Sequence, residues 1–220
     1  MNDTAQEQKK LIISYMQLRR YIGYLGLALP VVLALVAYLK FDTPIQGSIS
    51  AYYHTDMRDV FVGILFVIGF FLLAYKGHDS KDDYAGDAAF VFAVGMALFP
   101  TTPEKVGVVI TEADKLSGLI HGVCAALFFI TLIYFCLHLF VKTSCDPMPD
   151  RKRFRNKIYR SCGWTMTVCI ALIGIIFLFD SVEASIGHLN PVFWLEGAAI
   201  LAFALSWFTK GQSLARLKDL

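Results

Sequence analysis

Six long apolar segments constrain the fold of this chain more than any other feature. An α-helix rises about 1.5 Å per residue, so roughly 20 apolar residues span the ~30 Å hydrocarbon core of a bilayer. The 220 residues are 56% hydrophobic, above the roughly 45–50% of soluble proteins. The sequence therefore predicts an all-α polytopic membrane protein, a single integral membrane domain over 1–220. Its six predicted transmembrane helices are 21–40, 59–76, 87–103, 117–141, 161–181 and 190–209.

Positive charges are distributed unevenly between the two sides that these segments define. Of the 20 Lys and Arg residues, 16 lie in the two tails and in the second and fourth connections. Lys and Arg concentrate in cytoplasmic connections, so we expect both termini to be cytoplasmic. Seven of the 16 lie in the fourth connection, 142–160. Such a polybasic segment is typical of contact with anionic lipid rather than nucleic acid.

The residues best suited to chemistry gather on the other, outer side. Glu196 lies about 9 Å along the sixth predicted helix from Asn190, at ~1.5 Å per residue. An ionisable side chain inside a membrane is costly and is a candidate functional residue by default. The remaining candidates on this side are His54, Asp59, His121, Asp180 and His188.

The first outer connection is polar, aromatic and compact. It contains Ser50 and His54, and the spacing Ser-x-x-x-His recurs at Ser117 and His121. Residues four apart share a face of a helix, so a hydroxyl and an imidazole could meet there. Arg58 is predicted to lie on the outer side, where Lys and Arg are rare. Its position there indicates an ion pair or capture of an anionic group such as a phosphate.

The three outer histidines and a nearby carboxylate predict a metal site. His54, His121 and His188, with Asp180, are the expected ligands, while Glu196 and Asp59 are available as bases. Catalytic zinc uses three protein ligands and an open position to lower the pKa of bound water. We therefore expect zinc as the cofactor.

Short motifs resemble the DRAM/Sfk-type superfamily of six-helix proteins and its bacterial relatives. The matching residues are Ser48-Ile49-Ser50, Val60-Phe61-Val62-Gly63, and His121 with Phe128 and Phe129. The resemblance implies six helices with cytoplasmic termini and, from some eukaryotic relatives, lipid-anchor remodelling or lipid-linked signalling. It also implies a plasma membrane location, the inner membrane of a bacterium.

Part of the chain is also similar to the CREST membrane hydrolases, which include alkaline ceramidases. Ser50, His54 and Asp59 match the opening part of that family's zinc site. The family's later His-x-x-x-His is absent, since only His188 and Glu196 stand in that region, and a seventh transmembrane helix is missing. The resemblance implies zinc-dependent hydrolysis of a lipid.

Three classes of function fit these observations. The first is a hydrolase or transferase acting on a lipid or lipid-linked substrate at the outer face, with Ser50, Arg58, Asp59 and Glu196 as catalytic residues. The second is a proton or cation channel or transporter with an outer vestibule of histidines and carboxylates. The third is a non-enzymatic sensor or scaffold. Membrane lipids are the expected partners in each, and an oligomer is compatible with all three.

Overall fold

A computed structural model describes residues 2–77, 79–103, 109–143 and 147–211, apart from the side chains of residues 2–14 and 180. The described residues are mostly helical and contain no strand. The helices are α1 (Asn2–Phe41), α2 (Arg58–Leu73), α3 (Ser80–Leu98), α4 (Glu112–Tyr134), α5 (Asp150–Leu178), α6 (Asp180–Ile186) and α7 (Pro191–Lys210). Two 3₁₀ turns cover Ser50–His54 and Gly187–Leu189, and the π-helix Phe135–Leu139 continues α4.

Four stretches are long and apolar enough to cross a membrane: Tyr15–Phe41, Glu112–Leu139, Asp150–Leu178 and Pro191–Lys210. Two other helices do not meet these criteria of length and apolar character. The α2 helix has 16 residues, and α3 carries four charged residues in its first half, Lys81, Asp82, Asp83 and Asp87. The described chain is therefore a membrane-type helical protein with four clear candidate spans.

Each of the six predicted segments overlaps a helix, but several helices begin earlier than predicted, and α3 ends at Leu98 rather than at 103. The α1, α3 and α5 helices start at Asn2, Ser80 and Asp150 rather than at 21, 87 and 161. The added turns are mostly polar, and a local cap stabilises those of α3. At the start of α3, Asp79 and Asp82 form a reciprocal capping box, which supplies partners for orphan N–H groups.

The six long helices form a ring. The α1 helix packs against α2 and α7, α3 lies between α2 and α4, and α5 lies between α4 and α7. The α2 and α3 helices approach each other closely. A Cβ added to Gly86 would lie 2.5 Å from the Leu72 carbonyl oxygen, and Ala89 and Ala93 on the same helix are fully buried. Small residues thus allow the two backbones to approach.

Contacts divide the connections between two ends of the ring. At one end the Lys76 N–H donates to Tyr15 Oη, Arg20 Nε donates to the Gly211 carbonyl, and Lys142 pairs with Asp79. We call this the lysine end, comprising 15–20, 74–77, 79–82, 140–143, 152–159 and 207–211. The other, the histidine end, comprises 42–59, 96–103, 109–121 and 179–196.

Candidate functional site

Glu196 joins α7 to the first connection at the histidine end. Its Oε2 accepts a 2.6 Å hydrogen bond from the Ile49 N–H, and Ser50 N and Oγ each lie 3.4 Å from its carboxylate. The carboxylate is half-buried and supplies an acceptor for N–H groups at the start of the 3₁₀ turn. Hydrogen bonds to an ionised group are roughly twice as strong as neutral ones. Glu196 therefore has a structural role in addition to any chemical one.

Two serine hydroxyls complete this turn. Ser48 Oγ accepts from the Ala51 N–H at 3.0 Å and lies 3.2 Å from Ser50 Oγ. Ser48 is buried, whereas Ser50 is half-buried. Ser48 thus closes the turn, while Ser50 presents a hydroxyl that can donate to Glu196.

His121 is buried, with 3% of its surface exposed, and its ring is bonded through one nitrogen. Nδ1 lies 2.8 Å from the Phe99 carbonyl oxygen and 3.1 Å from that of Met96. Because carbonyl oxygens only accept, Nδ1 carries the hydrogen. In the neutral ring Nε2 then holds the lone pair and can accept a proton.

His54 and Ser117 bind the same segment after α3. His54 Nε2 donates to the Thr101 carbonyl at 2.6 Å, and Ser117 Oγ donates to the Pro100 carbonyl at 2.9 Å. These bonds and those of His121 satisfy carbonyls in the last turn of α3 and just beyond it. The Ser117–His121 pair, expected to meet on one helix face, is used instead to hold this segment.

The other predicted site residues lie apart from this group. Arg58 is exposed, donates to Tyr53 Oη at 3.3 Å and lies 4.9 Å from the centre of that ring. Asp59, in the first turn of α2, and His188, in the second 3₁₀ turn, are also exposed. Asp180 begins α6, and its side chain is outside the described residues.

The predicted zinc ligands do not form a cluster in the described part of the chain. No three His, Cys, Asp or Glu side chains come together there as a metal-binding group. His54 and His121 each bond a backbone carbonyl, which is how histidine ligands are often oriented, but His188 is not beside them. The residues in view do not fit a three-ligand site, so zinc stays a prediction made from the sequence.

A pocket brings Ser50, His121 and Glu196 together with apolar side chains. Its volume is about 50 Å³, and roughly 10–15 Å³ suffices for one water. Its apolar wall comes from five helices and the first connection: Leu29, Ile49, Phe61, Leu65, Met96, Ala125, Phe128, Phe129 and Ile200. The pocket thus has three polar residues in an otherwise apolar lining.

The pocket was not predictable as a unit, although its parts carry sequence signals. Six of its lining residues are among the ten on which the superfamily resemblance was based: Ile49, Ser50, Phe61, His121, Phe128 and Phe129. Leu29, Leu65 and Ile200 have no distinguishing signal because they are ordinary apolar residues of long helices.

Comparisons with known proteins return no match. No protein-family model matches the chain, no curated protein matches it, and no solved structure matches it. Neither resemblance therefore receives support from them.

Proposed function

We propose that this protein is a membrane-embedded hydrolase or transferase that acts on a lipid or lipid-linked substrate. The pocket with Ser50, His121 and Glu196 in an apolar lining carries the proposal. Apolar walls with a few convergent polar groups are typical of small-molecule sites. A lipid acyl group matches such a lining, because its chain is apolar and its carbonyl is polar.

We further propose that all six long helices cross the membrane and that the histidine end faces outward. The uneven distribution of Lys and Arg supports this orientation. The contacts also support it, because connections that the alternation assigns to one side meet at one end. A bacterial inner membrane is the proposed location.

Single-cysteine labelling tests the orientation. Cysteines introduced at exposed Glu183 and Arg153 in a cysteine-free background should react oppositely with an impermeant maleimide applied to whole cells. Position 183 should label and position 153 should not. The reverse result would contradict the proposed orientation.

The chemistry we propose is acyl transfer to Ser50. Glu196 Oε1 lies 3.4 Å from Ser50 Oγ, and such bonds are often long before substrate binds. Glu196 takes the hydroxyl proton as Oγ forms a bond to the acyl carbon. The proton then passes to the leaving oxygen as its bond to that carbon breaks. Water or an acceptor alcohol releases the acyl group in the second half of the reaction.

His121 and Arg58 have supporting roles in this scheme. The Nε2 lone pair of His121 can receive the proton of the attacking water or alcohol in the second half. Arg58 contacts Tyr53, whose ring packs against Phe61 of the pocket wall at 6.2 Å. An anionic headgroup bound by Arg58 would therefore lie near the pocket. The scheme passes through no metal.

Incubation of the purified protein with membrane lipid extract and with a fluorogenic acyl ester tests the proposal. Product formation should fall by at least about a hundredfold in Ser50→Ala and in Glu196→Gln, a magnitude typical of losing a general base or nucleophile. Ser117→Ala is the matched control, because it removes a half-buried hydroxyl at the same end that does not line the pocket. Full activity in Ser50→Ala would contradict the acyl-serine scheme.

Two further measurements separate the other functions. Metal analysis of wild type, His54→Ala, His121→Ala and His188→Ala tests zinc: stoichiometric metal lost in all three variants would favour a metal-dependent enzyme. Proton flux in liposomes that disappears in Glu196→Gln, without lipid turnover, would instead favour the channel.

A further inference from the structure

The α4 and α5 helices are tightly packed near the lysine end. A Cβ added to Gly163 of α5 would lie 2.5 Å from Leu137 Cδ2 and 3.2 Å from Cys136 Cβ, both on the π-helix that continues α4. Gly163 and Cys136 are buried. The two helices run in opposite directions, because α4 ends and α5 begins at the lysine end. Residues equally far from this contact along the two helices therefore lie at the same level of the bundle.

The same two helices are separated toward the histidine end. Gly174 lies about three turns after Gly163 and on the same face of α5, yet a Cβ added to Gly174 would meet nothing within 4 Å. On α4, Gly122 lies about four turns before Cys136 and on the same side. A Cβ added to Gly122 would also meet nothing within 4 Å. The faces that are in contact at one end are thus apart at the other.

The exposure of side chains along α5 changes in the same way. Ile170 and Phe177 are about two turns apart, so they share the side of α5 that faces α4. Ile170 is half-buried and packs against the core, whereas Phe177 is 65% exposed. The separation therefore begins beyond Ile170. We call it the α4–α5 opening, bounded by Gly122 and Ala125 on α4 and by Gly174 and Phe177 on α5.

The α4–α5 opening lies beside the pocket at the histidine end. Ala125 is as far from Cys136 as Gly174 is from Gly163, so Ala125 and Gly174 lie at the same level. Ala125 is half-buried and lines the pocket. Five of the six long helices of the ring contribute lining residues, whereas α5, which the structure describes from Asp150 to Leu178, contributes none. The pocket wall is therefore incomplete on the side where α5 leaves α4.

The side chains around the opening favour an acyl chain over water. Gly122, Ala125, Gly174 and Phe177 carry no polar side-chain atom, and a bound water needs roughly two to four polar partners. Both helices belong to candidate membrane spans, so lipid surrounds them. Lipid tails are as apolar as the side chains of the opening. An acyl chain can therefore fill it without losing favourable contacts.

We propose that the α4–α5 opening is a lateral entrance through which an acyl chain of a membrane lipid passes from the bilayer into the pocket. This inference rests on the proposed function, because it takes the pocket as the place where a lipid acyl group binds. It adds that the substrate is a lipid of the leaflet at the histidine end, and that its chain enters between two helices. A chain that enters beside Ala125 has its carbonyl toward the histidine end, where Ser50 lies.

Photolabelling of Ser50→Ala tests the entrance in the absence of acyl transfer. The variant is reconstituted in phosphatidylcholine vesicles that contain a phosphatidylcholine with a diazirine in the middle of one acyl chain, and crosslinked residues are identified by mass spectrometry. We expect crosslinks at Leu65 and Ile200, which line the pocket, in addition to the lipid-facing surface. Crosslinks confined to outward residues of the same helices, such as exposed Val67 and Leu201, would overturn the proposal.

Gly174→Trp should close the entrance, because the free space at this glycine can hold a large ring. Crosslinks inside the pocket should fall at least about tenfold, since a chain kept out of the pocket loses the burial of several methylene groups. Gly63→Trp is the matched control. The space beside Gly63 is also free, and it faces away from pocket residues Phe61 and Leu65, which are two positions to either side. Undiminished crosslinks in Gly174→Trp, or equal loss in Gly63→Trp, would overturn the proposal.

Turnover separates failure of this inference from failure of the proposed function. The substrates are phosphatidylcholine in vesicles and a short, water-soluble acetyl ester that does not need to enter from the bilayer. Gly174→Trp should lower the ratio of lipid turnover to ester turnover at least about tenfold, and Gly63→Trp should not. An unchanged ratio in Gly174→Trp would overturn the entrance and leave the enzyme proposal intact. No turnover by the wild type, together with pocket crosslinks that Gly174→Trp removes, would overturn the enzyme proposal and support the entrance.

Discussion

Glu196 and Ile49 are joined by a 2.6 Å hydrogen bond from a backbone N–H to a carboxylate, across 147 positions of sequence. A second bond between the same segments runs from the Phe193 N–H to the Gly47 carbonyl at 3.0 Å. The first connection is therefore attached to the beginning of α7, and the attachment places Ser50 at the pocket. The carboxylate of Glu196 at this end of the bundle therefore has a structural role, which is to hold the first connection.

Glu196→Ala should destabilise the protein more than Glu196→Gln. The alanine leaves the Ile49 N–H without its acceptor, at a cost of about 1–3 kcal/mol in the free energy of unfolding. The glutamine keeps a carbonyl oxygen at the same place and should lose less. Chemical unfolding in detergent measures both. Equal stabilities for the two variants would show that the Ile49 bond does not hold the connection.

In their neutral forms, His54 and His121 should adopt opposite tautomers. His54 donates through Nε2 to Thr101, whereas His121 donates through Nδ1 to Phe99 and Met96. The two rings are therefore internal controls for each other. Nitrogen-15 NMR of histidine-labelled protein, assigned with His54→Gln and His121→Gln, distinguishes the tautomers by chemical shift. The same tautomer in both rings would contradict the hydrogen bonds described.

Gly86→Ala should loosen the contact between α2 and α3. The new Cβ would lie 2.5 Å from the Leu72 carbonyl oxygen, and overpacking of this kind costs about 1–3 kcal/mol. Gly63→Ala is the matched control, because a Cβ there would meet nothing within 4 Å. The control should be neutral or slightly stabilising, since alanine favours a helix over glycine by roughly 1 kcal/mol. Thermal unfolding of both variants measures the difference, and equal effects would contradict the close approach.

Acidification should weaken the ion pairs at the lysine end. The hydrogen bond from Lys142 holds the pKa of Asp79 below its ordinary value of 3.8. The stabilisation from a carboxylate with a lowered pKa is present above the ordinary value and is lost as the pH falls through the lowered one. Lys142→Met should raise the pKa of Asp79, which carbon-13 NMR of labelled aspartate measures.

The exposed Lys81→Met is the control for that titration, because Lys81 meets Asp79 only through its backbone N–H. It should leave the Asp79 pKa close to that of the wild type. An unchanged Asp79 pKa in Lys142→Met would show that the pair does not form in solution.

Hydropathy was sufficient to place six helices but not to place their polar beginnings. The α5 helix starts at Asp150, among basic residues that show no periodic pattern of apolar residues. Its first turns were therefore predicted to be part of a connection. Burial of Asp82 was equally invisible, because a carboxylate in a charged stretch is usually solvated. The approach of Lys142 from 60 positions away contributes to its burial.

The residues of the candidate site could be predicted from their chemical type and from the side of the membrane to which they were assigned. The contacts between them could not. Ser50, His121 and Glu196 were selected because they are ionisable or nucleophilic residues near one membrane face, and they line one pocket. His188 was selected on the same ground, yet it is exposed on a separate turn. Spacing along the chain determines which residues share a helix face, but contacts between helices depend on packing.

The α3 helix is anchored at both of its ends by side chains from other parts of the chain. His121 and His54 bind carbonyls at and beyond its last turn, and Lys142 binds Asp79 and Asp82 at its first. A helix held in this way cannot fray gradually from one terminus, because each terminus is tied to a neighbour. Its amide hydrogens should exchange with solvent as one cooperative unit. Loss of the contacts at either end should therefore increase exchange along all 19 residues of the helix.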